Sequence, residues 1–78
     1  MCLGIPMKIV EIKEGFLALA EVRGIKRKIS IFLLQDEPLK VGDWVMVHTG
    51  SAIGKLEEEE AQENLKLIEE VLLSLIHI

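Results

Sequence analysis

The sequence predicts a mainly β fold, in which a small antiparallel β-barrel is followed by one C-terminal α-helix. Two observations favour the barrel: short runs rich in β-branched residues recur along the chain, and glycines or a proline-containing loop separate them. A third observation predicts the helix, because from residue 56 onward the apolar spacing changes from two to three and four. We therefore expect a single domain over residues 1–78, with the barrel at about 1–55 and the helix at about 57–76.

The first part of the barrel is predicted to be a meander of three strands. The strands are expected at residues 7–13, 16–22 and 25–31, with short turns at Glu14-Gly15 and Arg23-Gly24. In the third strand the isoleucines Ile25, Ile29 and Ile31 alternate with Lys26, Lys28 and Ser30, which is typical of an antiparallel strand with one face in water. Arg27 has the parity of the isoleucines. It is either a side chain at the barrel rim or an anion-binding group, and the rim interpretation is favoured.

The second part of the barrel is predicted to add one or two strands. The apolar run continues with a bend through residues 32–34, and Pro38 lies in a polar loop because proline gives no amide hydrogen to a sheet. A turn at 41–43 leads into a strand at 44–49, and a short fifth strand at 51–53 is expected to close at Gly54. Closure into a barrel is favoured because it removes exposed strand edges.

The helix is predicted from one apolar stripe and an acidic start. The stripe consists of Ala61, Leu65, Ile68, Leu72 and Leu75. Glutamates in the first turn complement the positive end of the helix dipole, and Leu56 and Ala61 are spaced for a hydrophobic staple if Glu57 is the cap. We expect the helix to pack across the barrel. Its apolar end is either a partner surface or folded back on the barrel.

Composition limits the class of protein. The chain has 78 residues, one cysteine and a formal net charge of −4. A single cysteine excludes an internal disulfide framework and fits a reducing compartment. The acidic balance argues against nucleic acid as a partner, and no signal segment or apolar span is visible, so a cytoplasmic protein is the expectation.

Cys2 and His48 are the candidate functional residues. Cys2 lies at the start of the chain, where it is either a chance residue at a frayed end or a reactive thiol, since a thiolate is both a nucleophile and a soft metal ligand. His48 ends the Trp44 strand on the face opposite Val45 and Val47, and is either a surface residue or a ligand. No catalytic set is complete, so an enzyme is not predicted.

Two motifs together resemble a known family. Met-Cys-Leu-Gly-Ile-Pro at 1–6 and Val-Gly-Asp-Trp-Val-Met-Val-His-Thr-Gly at 41–50, followed by Ala52-Ile53, resemble the HypC/HupF hydrogenase maturation chaperones. Gly24 and Arg27 around the third strand fit the same pattern. The departures are Ser51, where the family commonly has phenylalanine, and Met7, where a small residue is frequent. Neither departure affects Cys2 or His48.

The resemblance implies an OB-like barrel and a non-enzymatic chaperone for [NiFe]-hydrogenase assembly. Such proteins bind the scaffold protein HypD and the precursor of the hydrogenase large subunit, and help to assemble and deliver iron as Fe(CN)2CO. Cys2 and His48 would then bind the iron, transiently and in a site shared with a partner. The partner-binding residues would be Cys2, Leu3, Gly4, Ile5 and Pro6. Neither nucleic acid nor a membrane is an expected partner.

Three other functions remain open from the sequence. An OB-type binding module for nucleic acid or another ligand is disfavoured by the net charge and by the presence of only three aromatic residues, Phe16, Phe32 and Trp44. An N-terminal-cysteine enzyme lacks a visible group to orient the thiol. A purely structural subunit would make Cys2 dispensable.

Overall fold

A closed five-stranded barrel and one helix make up the part of the chain that the computed structural model describes, which is the backbone of residues 4–76 and the side chains of residues 4–71. The elements are β1 (Ile5–Lys13), β2 (Leu17–Val22), β3 (Ile25–Ser30), a 3-10 helix (Phe32–Leu34), β4 (Trp44–His48), β5 (Ser51–Leu56) and α1 (Glu58–Ile76). Around the barrel the strands follow the order β1-β2-β3-β5-β4. The predicted fold class is confirmed.

The meander of β1, β2 and β3 forms as predicted, with one change at its first turn. Arg23 and Gly24 have φ values of 49° and 83°, which is the type I′ geometry that suits a two-residue hairpin. Phe16 was expected to begin the second strand. It lies instead in the turn with a φ of 58°, and its ring packs edge-on against Phe32 with centroids 5.4 Å apart.

The barrel core is built from side chains that alternate along the strands. Its members are Met7, Ile9, Ala18, Ala20, Ile29, Ile31, Leu34, Val45, Val47 and Ala52. Val45 and Val47 face this core while His48 is exposed, as the sequence predicts. Ile25 was expected to share the core face of β3, but it is 51% exposed because the first half of that strand extends past the packed interior.

Two further segments refine or correct the expectation. Residues 32–34 were expected only to continue the apolar run with a bend, and they form the 3-10 helix, of which Leu34 is buried. Gly54 was expected to end the fifth strand. However, β5 continues through Gly54 to Leu56, and an irregularity in register between Met46 and Val47 lets it stay paired with β4 along this length.

The helix begins where the acidic run predicts and covers the outer face of β1 and β4. The backbone N–H of Glu57 donates to Glu60 Oε1 at 3.2 Å, which is half of a capping box. The helix contacts β1 and β4, and Ala61 and Leu65 are buried outside the barrel core. Pro6 is also buried, although it alternates with the core residue Met7 and is not a member of the barrel core.

The outer side of α1 remains exposed. Leu67 and Val71 are each 59% exposed, and Arg23 forms an ion pair with Glu69 that ties the helix to the β2–β3 turn. The predicted packing of Leu72 and Leu75 concerns side chains outside the described residues. No helix in the described part of the chain is long and apolar enough to cross a membrane.

Candidate functional site

Gly4 connects the N-terminal motif to the end of β4. A Cβ atom added to Gly4 would overlap the carbonyl oxygen of Val47 and would lie 2.9 Å from the Val47 carbonyl carbon and 3.4 Å from His48 Cβ. The next residue, Ile5, pairs with Val47 in the sheet. The backbone of the first motif therefore lies directly on the backbone of the second, and only glycine allows this approach.

His48 is the last residue of β4 and is exposed to solvent. Trp44 and Met46 lie on the same strand face and are half-buried, which matches the face assignment from the sequence. An exposed imidazole at a strand end is open to a ligand or a partner. It also has no packing role that a substitution would disturb.

The turn after His48 holds an unusual residue that sequence reasoning missed. Thr49 has a φ of 48° and Gly50 a φ of 80°, so the β4–β5 connection is a type I′ hairpin. A β-branched residue in the left-handed region is strained, and such strain is concentrated at functional sites. Thr49 Oγ1 donates to the carbonyl oxygen of His48 at 2.7 Å, which holds the turn next to the imidazole. The signal in the sequence was the short spacing between two predicted strands.

Cys2 and Leu3 lie outside the described residues. The N-terminal part of the site is therefore described from Gly4 onward. Two residues of extended chain span at most about 7 Å. Gly4 lies against Val47 and His48, so the described chain starts beside the end of β4. Gly4, two residues after Cys2 in the sequence, and His48 thus lie at the same end of β4.

The other predicted partner-binding residues differ in accessibility. Ile5 is 46% exposed at this end of the barrel, and Gly4 is half-buried. Pro6 is buried and positions the strand, as a proline with fixed φ at a strand start can do. Ile5 is therefore the apolar side chain of this segment that the structure shows free to touch a partner.

The described residues alone do not form a metal site. Within the part of the chain that the structure describes, no group of three or more His, Cys, Asp or Glu side chains is placed to hold a metal ion. An imidazole and a soft thiolate suit iron chemically, but two donors leave most of a coordination sphere to be filled by other molecules. Arg27, the alternative anion-binding residue, is exposed, as expected at a rim.

Comparison with known proteins identifies the family of this chain. Residues 1–68 match the sequence profile of the HupF/HypC family. The chain belongs to this family. It is 44% identical over 75 residues to the hydrogenase maturation factor HypC of Helicobacter hepaticus, covering 96% of this chain and 86% of that protein. The HypC of Cupriavidus necator is 41% identical over 71 residues, which is 91% of this chain and 77% of that protein.

A third relative is also similar to this chain over most of its length. The hydrogenase maturation factor HybG of Escherichia coli is 36% identical over 75 residues, covering 91% of this chain and 92% of its own length. The family resemblance stated from the two motifs is confirmed. These relatives are named as maturation factors rather than enzymes, in agreement with the predicted non-enzymatic role. The roles of Cys2 and His48 and the identity of the bound group remain predictions.

Proposed function

We propose that this HupF/HypC family member is a cytoplasmic maturation chaperone for a [NiFe]-hydrogenase, which carries iron as Fe(CN)2CO between partner proteins. The observation that carries the proposal is the contact between Gly4 and the end of β4. This contact holds Gly4, which is two residues after Cys2 in the sequence, beside the exposed His48. From this start we infer that the Cys2 thiolate reaches the accessible surface beside the His48 imidazole.

The chemistry of these two donors suits transfer rather than storage. A soft thiolate is a good ligand for low-spin iron that already carries strong-field ligands, and imidazole is a common iron ligand. Because the described residues offer no cluster of three or more metal-binding side chains, the iron site is completed by a partner. A shared and exposed site releases its cargo more easily than a buried one.

The partners in this proposal are a HypD-like scaffold protein and the precursor of the hydrogenase large subunit. The named roles of the relatives as hydrogenase maturation factors support this choice. The N-terminal segment is the proposed contact surface, since Ile5 exposes nearly half of its side chain there. Both partners would use this segment in turn, so that cargo moves without leaving the protein surface.

The test is an anaerobic pull-down of the tagged protein from its own cells, followed by infrared spectroscopy for bound cyanide and carbon monoxide. The wild type should carry both bands together with the partner proteins. Cys2→Ala should lose the bands, and Lys40→Ala, an exposed change in the loop before β4, should keep them. The proposal is wrong if isolated Cys2→Ala protein retains the iron group at the wild-type level.

A further inference from the structure

Along the first half of β3, one sheet edge has no strand beside it among the described residues. β3 pairs with β2 along its whole length, from Val22↔Ile25 to Leu17↔Ser30. On its other side it pairs with β5 at a single position, Ser30↔Ser51, among the residues that the structure describes. The stretch from Ile25 to Lys28 is therefore an open edge, which we call the β3 edge.

The backbone groups of this edge point outward in a defined pattern. The two-residue turn at Arg23-Gly24 makes Val22 and Ile25 a hydrogen-bonded pair, so Ile25, Arg27 and Ile29 bond to β2. Lys26, Lys28 and Ser30 then direct their N–H and C=O groups away from β2. The Ser30 N–H confirms this direction, since it donates to the carbonyl oxygen of Gly50 at 2.9 Å.

The β3 edge is accessible, and one of its acceptors already binds a donor. All four residues from Ile25 to Lys28 are exposed, so neither face of this half-strand is covered. Arg27 Nη1 donates to the carbonyl oxygen of Lys26 at 2.9 Å. A side-chain donor of the same protein thus occupies the place where the amide of an added strand would lie.

The charge of the β3 edge contrasts with that of the molecule. Lys26, Arg27 and Lys28 are three consecutive cations in a chain whose net charge is −4. None of them forms an ion pair with another described residue, whereas Arg23 and Lys55 do. The edge therefore offers backbone hydrogen bonds together with unpaired positive charge.

We propose that the β3 edge is a docking site for an extended acidic segment of a partner protein, which binds by adding a strand beside Lys26 and Lys28. Main-chain hydrogen bonds supply affinity in this mode, and the cations select acidic side chains. The edge is four residues long, or about 13 Å. The added strand would end beside the β4–β5 turn, because Gly50 occupies the next edge position at Ser30.

This proposal goes beyond the iron-carrier function and does not depend on it. It also differs from nucleic-acid binding, which uses aromatic side chains for stacking. No aromatic residue lies within β3. Lysines on an open strand edge can have a different role, which is to prevent aggregation. The experiment must separate that role from binding.

The experiment measures amide shifts and hydrogen exchange in the full-length, iron-free protein labelled with nitrogen-15. The probe is a synthetic peptide of alternating valine and glutamate, compared with one in which lysine replaces glutamate and one with proline at alternate positions. The acidic peptide should shift and protect the amides of Lys26 and Lys28. The basic and proline-containing peptides should not bind. Aggregation control alone predicts no binding of any peptide, and that result overturns the proposal.

Two sets of variants separate the charge from the backbone. Lys26→Gln with Lys28→Gln should weaken binding of the acidic peptide by roughly 2–30-fold, while the control pair Lys40→Gln with Lys66→Gln should leave its affinity unchanged. Lys28→Pro removes an edge N–H together with one charge, without removing a bond to β2, and should weaken binding far more than Lys28→Gln, which removes the charge alone. If Lys28→Pro does not fold, the glutamine pair decides the outcome alone.

Three results contradict the proposal. The first is wild-type affinity in the glutamine pair. The second is peptide-induced protection that maps outside β3. The third is tighter binding of a thymidine oligonucleotide of equal charge to the same lysines, which would make the edge a nucleic-acid site. Because iron is absent from every sample, these outcomes are independent of whether Cys2 carries cargo.

Discussion

Gly4 lies so close to the carbonyl group of Val47 that no side chain fits between them; an added Cβ would be 2.9 Å from the Val47 carbonyl carbon. This contact joins two motifs that are far apart in sequence. It explains why glycine is needed in the first motif, and it brings Gly4 to the end of β4 that carries His48. The contact is therefore a structural requirement of the candidate site as well as of the fold.

Gly4→Ala should destabilise the protein because the new methyl group forces the start of β1 away from β4. The expected loss is about 1–3 kcal/mol in the free energy of unfolding, which is typical of overpacking. Urea denaturation followed by circular dichroism measures it. The amide signals of Val47 and His48 should also shift, since the displaced backbone lies against them.

Gly54→Ala is the matched control for this substitution. Gly54 lies in β5, and a Cβ added there would meet nothing within 4 Å. The change should be neutral or stabilising by about 0.5 kcal/mol, because alanine restricts the unfolded chain. Equal losses in the two variants would mean that the Gly4–Val47 contact has no special role.

Alternation and turn residues were enough to predict most of the barrel. Val45 and Val47 were assigned to the core and His48 to the surface because side chains alternate across a strand. The short turn at Arg23-Gly24 was predicted because glycine tolerates positive φ. These features are local, so a single sequence contains them.

The differences arise where distant segments decide the outcome. Gly54 resembles a strand end, yet pairing with β4 carries β5 past it. Ile25 has the parity of a core residue, but its exposure depends on how far β3 extends beyond the interior. The contact between Gly4 and Val47 depends on the pairing of β1 with β4, which no local pattern reports.

Thr49→Asn should stabilise the β4–β5 hairpin. Asparagine tolerates the left-handed conformation in which Thr49 is held, and Asn-Gly is the preferred type I′ pair. The expected gain is about 0.5–1 kcal/mol, which is part of the cost of a β-branched residue at positive φ. Thermal unfolding measures the effect. Thr49→Ser keeps the hydroxyl and should change stability less; a larger gain for serine would argue against backbone strain as the cause.

Leu65→Ala should show that the helix is a structural part of the domain. Leu65 is 4% exposed, and its truncation should cost about 2–4 kcal/mol. Leu67→Ala is the control on the same helix, because Leu67 is 59% exposed and should cost less than about 0.5 kcal/mol. Urea titrations of both variants test the difference. Similar costs would mean that α1 does not pack through the Leu65 side.

The ion pair between Arg23 and Glu69 should contribute little to stability despite its close geometry. Both side chains are about half exposed, so water and salt screen the attraction. A double-mutant cycle with Arg23→Ala and Glu69→Ala should give a coupling energy below about 1 kcal/mol that decreases at high salt. A larger and salt-independent coupling would show that this pair fixes the helix on the β2–β3 turn.

His48→Gln should separate ligand binding from folding. The side chain is exposed and ends a strand, so its replacement should change the free energy of unfolding by less than about 0.5 kcal/mol. Glutamine keeps a polar group of similar size but is a much poorer iron ligand than imidazole. The anaerobically purified variant should therefore have weaker cyanide and carbon monoxide bands than the wild type while it still captures the same partner proteins.

Comparing His48→Gln with Cys2→Ala tests whether both residues bind the same iron. If thiolate and imidazole bind the same iron, the two single variants should each lower the occupancy, and the double variant should be no worse than Cys2→Ala. If His48→Gln protein binds the iron group at the wild-type level, His48 is not an iron ligand. Loss of partner capture with unchanged occupancy would instead make His48 a docking residue, which its position at the exposed end of β4 also allows.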